Sequence, residues 1–309
     1  MGQRILTLRQ GHREGTEILG KAGIAEASLD SWLLLSYVTG ISRAAYYGEP
    51  DRILTEEEAD RYETLIQKRA GRIPLQHLTG EQEFMGYTFL VNEHVLIPRQ
   101  DTETLVEEAL RRLKPGMHIL DLCTGSGCIL ISLLKAGAER LAEADAKPSG
   151  MSGGMQEKDM LTGIGTDLSG EALKVAAENA GRLGVRASFL KGDLFECVTE
   201  RYDMIVSNPP YIPTKVIEGL QEEVRLHDPY IALDGKEDGL HFYREIIKNS
   251  IYYIKKGGFL LFETGYDQGE AVSALMRDAG YSKVSIQKDL ADQDRVVCGS
   301  YHRAERKPV

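Results

Sequence analysis

The residues best suited to chemistry are Asn208-Pro209-Pro210-Tyr211, which close the apolar run Ile205-Val206-Ser207. Each proline holds φ near roughly −65°, and a residue before proline is pushed out of the helical region, so the Asn208 backbone is largely decided locally. Asn208 offers a neutral carbonyl oxygen, and the Pro209 carbonyl is a second acceptor that no helix claims. Two acceptors suit an NH2 group. An amide or exocyclic amino nitrogen is a poor nucleophile because its lone pair is delocalised. Accepting both of its N–H bonds aims that lone pair and stabilises the charge it gains on attack, while Tyr211 could stack on the planar group. The plain alternative is a strand followed by a Pro-Pro turn, with Asn as a turn former.

A second constellation lies upstream. Met117–Leu122 reads as a buried strand, Cys123-Thr124-Gly125-Ser126-Gly127 as a glycine turn, and Cys128–Leu134 as an apolar helix, which together open a nucleotide-type βαβ unit. The glycines let a ligand approach the backbone, and the helix N-terminus favours a carboxylate or phosphate. Leu130 stands where a dinucleotide fingerprint needs a small residue, and no Gly-Lys-Ser/Thr follows, so neither a dinucleotide nor a P-loop site is indicated. Asp121 beside the loop suits a ligand carrying an ammonium and a carboxylate. Asp167 is the best candidate to hold ribose hydroxyls, although it lies well beyond the roughly 20 residues usual after such glycines. Thr162-Gly-Ile-Gly-Thr is moreover a poor strand by composition. Asp193 could accept from an adenine amino group while Leu194 covers the ring; alternatively, Asp193 is a turn residue. Arg99, Asp101, Thr102 and Glu103 could line a site or merely cap the helix that follows.

The elements needed to position these groups can be traced along the chain. Residues 1–76 read as a helical, partner-binding domain. Within it Trp32–Val38 forms a buried segment ending at Gly40, and Thr55 to Glu58 a capping box opening a helix that runs to Gly71. Residues 77–100 read as a β-hairpin linker with Asn92 at the turn between two apolar runs. Residues 101–303 form the catalytic α/β domain, and 304–309 a tail. The Gly-, Ser-, Met- and charge-rich stretch 137–162 reads as a flexible insertion. Strands at Ala187–Leu190 and Met204–Ser207 bring Asp193 and Asn208 to the same carboxyl edge as the glycine turn and Asp167, where open parallel sheets bind ligands. Phe259–Phe262 is a further strand, and 284–287 with 295–301 a closing antiparallel pair.

With 309 residues, a net charge of −10 and 42% hydrophobic residues, the chain can bury a sizeable core but lacks the basic surface that gripping a nucleic-acid backbone requires. Four cysteines without a C-x-x-C pair, and no ligand rhythm with the seven histidines, predict reduced thiols, no metal and a cytoplasmic protein. No signal peptide or membrane-length apolar run is evident.

Five blocks in order carry a resemblance: Pro74-Leu-Gln-His-Leu-Thr-Gly80, Ile97-Pro-Arg-Gln-Asp-Thr-Glu103, Asp121-Leu-Cys-Thr-Gly-Ser-Gly127, Val206-Ser-Asn-Pro-Pro-Tyr-Ile212 and Asp289-Leu-Ala-Asp-Gln-Asp-Arg-Val296. Over nearly its whole length the chain resembles the release-factor glutamine N5-methyltransferases. The resemblance implies a small N-terminal helical domain on a class I methyltransferase, a Rossmann-like α/β fold with seven strands. It implies S-adenosylmethionine as methyl donor and, as partners, class 1 peptide-chain release factors methylated on the glutamine of a Gly-Gly-Gln motif, with neither a membrane nor a nucleic-acid substrate. On the donor side it adds Cys123, Thr124, Gly125, Ser126, Gly127, Asp167 and Leu194 to the Asp121 and Asp193 read from the residues, with Asn208 bordering both reactants. On the substrate side it implies Asn208, Pro209, Pro210 and Tyr211, beside Arg99 and Thr102. Asn208, Pro209 and Tyr211 would be catalytic. Cys123, Gln100 and Thr264 depart from the family's commoner glycine, proline and isoleucine. Adenine N6-methylation needs the same Asn-Pro-Pro-Tyr chemistry and is the alternative reaction; a cofactor-binding regulator without catalysis is the alternative class.

Overall fold

The computed structural model describes residues 6–145 and 159–304, which divide into two compact units. The smaller comprises residues up to Glu81 together with Gln221–His227. It contains α1 (Leu8–Lys21), α2 (Ala27–Thr39), α3 (Arg43–Gly48), α4 (Glu56–Ala70) and the short α5 (Leu75–Thr79). The expected capping box is present: Thr55 Oγ1 accepts from Glu58 N–H, and the Glu58 carboxylate accepts from Thr55 N–H at 2.8 Å. Leu8, Leu19, Leu34, Leu35 and Ile66 form the core of this unit. Residues 222–227, expected in the catalytic domain, are held in this unit instead, because Glu223 receives the guanidiniums of Arg69 and Arg72 at 3.3 and 3.1 Å.

The larger unit starts at Gln82, within β1 (Glu81–Phe84), and continues with β2 (Tyr87–Leu90) and α6 (Gln100–Leu110). The hairpin turns at Met85-Gly86 and not at Asn92, which lies after β2 and takes the N–H of His94 on its side chain. Nor does it behave as a free linker. Phe84 and Phe89 are buried in the main core, and Leu90 exchanges hydrogen bonds with Asn179 at 2.7 and 3.1 Å.

The main sheet is built from β3 (His118–Leu122), β4 (Thr162–Asp167), β5 (Ser188–Lys191), β6 (Tyr202–Ser207), β7 (Ile254–Glu263), β8 (Tyr281–Lys288) and β9 (Asp294–Tyr301). Its spatial order is 5-4-3-6-7-9-8, with β5 to β7 parallel and β9 antiparallel to both β7 and β8. That is a seven-stranded mixed sheet whose order reverses at β3, the position where open sheets leave a crevice at their carboxyl edge. The connecting helices are α7 (Cys128–Asp145), α8 (Gly170–Leu183), α9 (Thr214–Ile217), α10 (Glu222–His227, in the smaller unit), α11 (Tyr230–Leu233), α12 (His241–Tyr253) and α13 (Gly269–Ala279).

Two expectations for the stretch 137–162 change. Residues 137–145 continue α7, so the helix is 18 residues long and not cut short by an insertion; residues 146–158 lie outside the described part. Thr162–Asp167, a poor strand by composition, is a strand because its glycines are needed there. A Cβ on Gly163 would sit 2.6 Å from Leu130, and one on Gly165 would sit 2.8 Å from both Phe189 and Thr124 Oγ1. Close approach of a helix and a loop outweighs the low strand propensity of glycine. Among the described residues no helix is long and apolar enough to cross a membrane.

Candidate active site

One cavity in the larger unit collects most of the expected residues. Enclosing about 980 Å³ of empty space out to its mouth, it is lined by Cys123, Thr124, Gly125, Ser126, Asp167, Asp193, Leu194, Asn208, Pro210, Arg99 and Thr102, drawn from five loops. Four of those loops leave the carboxyl ends of β3, β4, β5 and β6, and the fifth leads into α6. Cross-bracing holds the strand ends together. Thr124 N–H donates to Thr166 O at 3.0 Å, Thr166 Oγ1 to Leu194 O at 3.2 Å, Gly192 N–H to Asp167 O at 3.1 Å, and Ser207 Oγ to Leu122 O at 2.8 Å.

The glycine loop is shaped to receive a ligand. Gly125 has φ +54°, and a Cβ there would meet nothing within 4 Å, so its face is open. Its N–H donates to Asp167 Oδ2 at 2.9 Å, and Ser169 N–H to Asp167 Oδ1 at 2.8 Å. Burial pushes the Asp167 carboxyl up, while these backbone N–H groups pull it down. Asp167 therefore stands at the end of β4 in the cavity wall, despite its distance in sequence from Gly127, much of which α7 takes up. Asp159, an acid shortly before β4, has its carbonyl on Gly116 N–H at the opposite edge of the sheet.

Asp121, Gly127, Pro209 and Tyr211 do not line the cavity. Asp121, expected to meet an ammonium group, is wholly buried beneath the loop, where it accepts from Thr124 Oγ1 at 2.6 Å. Burial raises it to about 7, and its Oδ1 has no hydrogen-bond partner. Gly127 immediately precedes α7, its N–H on Thr124 O at 2.8 Å. Tyr211 packs under the turn on the core cluster that contains Leu122, Ile205, Tyr243 and Phe262, and its carbonyl accepts from Gln268 Nε2 at 2.9 Å. Burial and the neighbouring Glu263 push its phenol up to about 12. Pro209 is buried, and among the described backbone hydrogen bonds none ends on its carbonyl.

Asn208 does reach the cavity, and its Nδ2 lies 3.5 Å from Thr102 Oγ1. Arg99 lines the wall and ion-pairs with Asp228 at 3.2 Å; burial lifts Asp228 to about 6 against that guanidinium. Capping is thus not the role of Arg99 or Thr102: Arg99 makes no side-chain cap bond, and Thr102 is turned into the cavity. The remaining wall includes the apolar Val95, Ile97, Leu168, Ala172 and Phe242 beside His94, Thr166 and Ser169.

Two contributors were not anticipated from the sequence. Asn179, buried on α8, donates to Ser126 O at 3.0 Å and so ties the glycine loop to the hairpin. A lone amide among Ala172, Val175, Ala176 and Ala180 on an apolar helical face was the available signal. Glu263 is buried at the end of β7, next after the Phe262 that pairs with Ser207, and its Oε2 has no hydrogen-bond partner. An acid closing the apolar run Phe259–Phe262 was the signal there.

This arrangement, an open glycine loop and an acid on adjacent parallel strands facing a rigid carboxamide, suits transfer between a bound nucleoside-containing donor and an NH2 group. The chain matches the PrmC N-terminal domain over residues 12–80 and a methyltransferase domain over residues 113–295. Curated relatives named release factor glutamine methyltransferase match it nearly end to end. The one from Caulobacter vibrioides is 40% identical over 299 residues, covering 95% of this chain and 96% of the relative. That from Moorella thermoacetica is 38% identical over 306 residues, covering 97% of this chain and all of the relative. The chain belongs to the release factor glutamine methyltransferase family. Its larger unit has the class I methyltransferase fold and its smaller unit is that family's N-terminal helical domain, so the fold expected from the sequence stands. A Geobacter sulfurreducens member, 40% identical over 282 residues and covering 91% of this chain and 92% of itself, places the chain in the same family.

Proposed function

We propose that the protein methylates N5 of the glutamine side chain in the Gly-Gly-Gln motif of class 1 peptide-chain release factors, in the cytoplasm, with S-adenosylmethionine as donor. The observation that carries this reading is that Asn208 opens into the same cavity as Gly125 and Asp167.

The residues present fit such a donor. In the loop Cys123–Ser126, Thr124 and Gly125 give their N–H groups to Thr166 and Asp167, while the Ser126 N–H, unclaimed among the described hydrogen bonds and just before α7, can meet a carboxylate. Asp167 can accept from ribose hydroxyls and Asp193 from an adenine amino group, with Leu194 and Leu168 against the ring. Asp121 acts one layer down by fixing Thr124. When bound, the donor supplies a methyl group on a positively charged sulfur, already activated for displacement.

The chain's own task is to position and aim. Asn208 Oδ1 and the Pro209 carbonyl accept the two N–H bonds of the glutamine amide, turning its lone pair toward the glycine loop. Pro210 stiffens the turn, and the Tyr211 ring supports it from below. Arg99, held by Asp228, and Thr102 form the wall past which the substrate loop enters. Holding two reactants in this way can lower a barrier by on the order of 7–11 kcal/mol, and the two acceptors add about 3–4 kcal/mol. No strong general base is needed, because the nitrogen loses its proton after attack.

The test offers methyl-labelled donor in parallel to a release factor, to its Gln→Ala variant in the Gly-Gly-Gln motif, and to duplex DNA. Label on the unmodified release factor alone is expected. Label on DNA would replace this reading with adenine methylation.

A further inference from the structure

Among the described non-glycine residues with a left-handed φ, Cys123 at +59° and Leu194 at +48° line the cavity. A bulky side chain is unfavourable there, and it persists only where the surroundings over-determine it. Thr166, fully buried near the end of β4, stands between the two loops that carry these residues, paired with Leu122 on β3 and Leu190 on β5. Its carbonyl accepts from Thr124 N–H at 3.0 Å, next after Cys123. Its Oγ1 donates to Leu194 O at 3.2 Å, and no other described hydrogen bond ends on that carbonyl.

The turn after β5 sends its side chains two ways. Phe195 enters the core and stacks on Tyr253, their ring centroids 4.8 Å apart, while Asp193 and Leu194 line the cavity. The turn closes on itself at Asp193, whose N–H donates to Glu196 Oε2 at 3.1 Å and whose carbonyl accepts from Glu196 N–H at 2.9 Å. The Leu194 carbonyl is instead held from outside the turn, by Thr166. Glycine would take this φ freely but would give the cavity wall no side chain. We infer that Thr166 is a positioning residue for the donor: its hydroxyl holds Leu194 in the left-handed conformation that lays the leucine side chain against the adenine ring.

This inference rests on the proposed S-adenosylmethionine site and adds the group that shapes its adenine end. Thr166→Val keeps the side-chain shape and the backbone carbonyl that holds Thr124, and removes only the hydroxyl. The Leu194 carbonyl then loses its partner, and the turn is free to leave the left-handed region. Since the glycine loop keeps its bonds, the loss belongs to the adenosine part of the donor. Thr166→Ser retains the hydroxyl.

The experiment titrates S-adenosylhomocysteine and adenosine into the wild type, Thr166→Val, Thr166→Ser, Leu194→Gly and the double variant of Thr166→Val with Leu194→Gly. Thr166→Val should weaken both ligands by the same factor, roughly 5- to 30-fold, and Thr166→Ser should restore binding to within about twofold of wild type. In the Leu194→Gly background, where there is no strain to hold, Thr166→Val should cost no more than about twofold further. Wild-type affinity in Thr166→Val overturns the inference, as do a loss that spares adenosine, a Thr166→Ser as weak as Thr166→Val, or multiplied losses in the double variant. Where Thr166→Val does not fold, folding restored by Leu194→Gly supports the inference and folding not restored overturns it. A wild type that binds neither ligand instead sinks the donor reading itself, and this inference with it.

Discussion

Replacing Asn208 by alanine tests the site where the geometry is most demanding. The substitution removes Oδ1 from the cavity wall while leaving Pro209 and Pro210, and so the stiff turn, in place. The donor side is untouched, since Gly125, Asp167 and Asp193 come from other strands and are braced by Ser169, Thr166 and Asn179. One of two acceptors aimed at the nucleophile is lost. By analogy with removal of one oxyanion donor that is about 3–4 kcal/mol, or 100- to 1,000-fold in turnover. Single-turnover transfer of labelled methyl to a saturating release factor reads the rate, and calorimetric titration of the donor reads its affinity. The expected result is a turnover loss of at least about 100-fold with donor affinity within threefold of wild type. Turnover within a few-fold of wild type would refute the reasoning. A large loss of donor affinity would place Asn208 in the donor site instead.

Three other perturbations probe the supports. Asp167→Ala removes the acid in the cavity wall and the acceptor of Gly125 and Ser169 N–H; donor affinity should fall by roughly tenfold or more, and unchanged binding in a titration would show that Asp167 does not hold the ribose. Gly165→Ala pushes a methyl group to 2.8 Å from Thr124 Oγ1 and Phe189; thermal unfolding should show a loss of about 1–3 kcal/mol together with weaker donor binding, and a variant as stable as wild type would contradict the packing account of β4. Glu263 has its carboxyl raised from an ordinary 4.5 to about 7, chiefly by burial, so its stabilising contribution is full below about 4.5 and is lost as pH rises through about 7. Relative to wild type, Glu263→Gln should therefore gain about 3 kcal/mol in denaturant unfolding between pH 4 and pH 8; a difference independent of pH would mean that Glu263 titrates normally.

Local chemistry makes much of this protein legible in its sequence. The Thr55 capping box, the glycine turn between a buried strand and an apolar helix, and the Pro-Pro turn after β6 are each decided within a few residues, and each is where the sequence puts it. What could not be read was set by contacts far apart in the chain. β4 looks wrong for a strand until Leu130 and Thr124 are packed against Gly163 and Gly165. Asn92, a good turn former, predicts the hairpin turn, whereas Phe84 and Phe89 fix it at Met85-Gly86 by both needing the core. Asp121 was expected to face a ligand because it follows apolar residues at a strand end, yet Leu122 and Cys123 still separate it from the open edge, and Thr124 folds back over it. Glu263 and Asn179 matter only through other elements: Glu263 through the pairing of β7 with β6, and Asn179 through Ser126.

The most direct measurement is the position of the substrate nitrogen in a structure of the protein with S-adenosylhomocysteine and a release-factor domain carrying the Gly-Gly-Gln motif. The account predicts the glutamine amide nitrogen at roughly 2.7–3.2 Å from both Asn208 Oδ1 and the Pro209 carbonyl oxygen, facing the sulfur across the glycine loop. An Asn208 carboxamide presenting its NH2 end, or a glutamine held by other groups with its nitrogen turned from the sulfur, would contradict it.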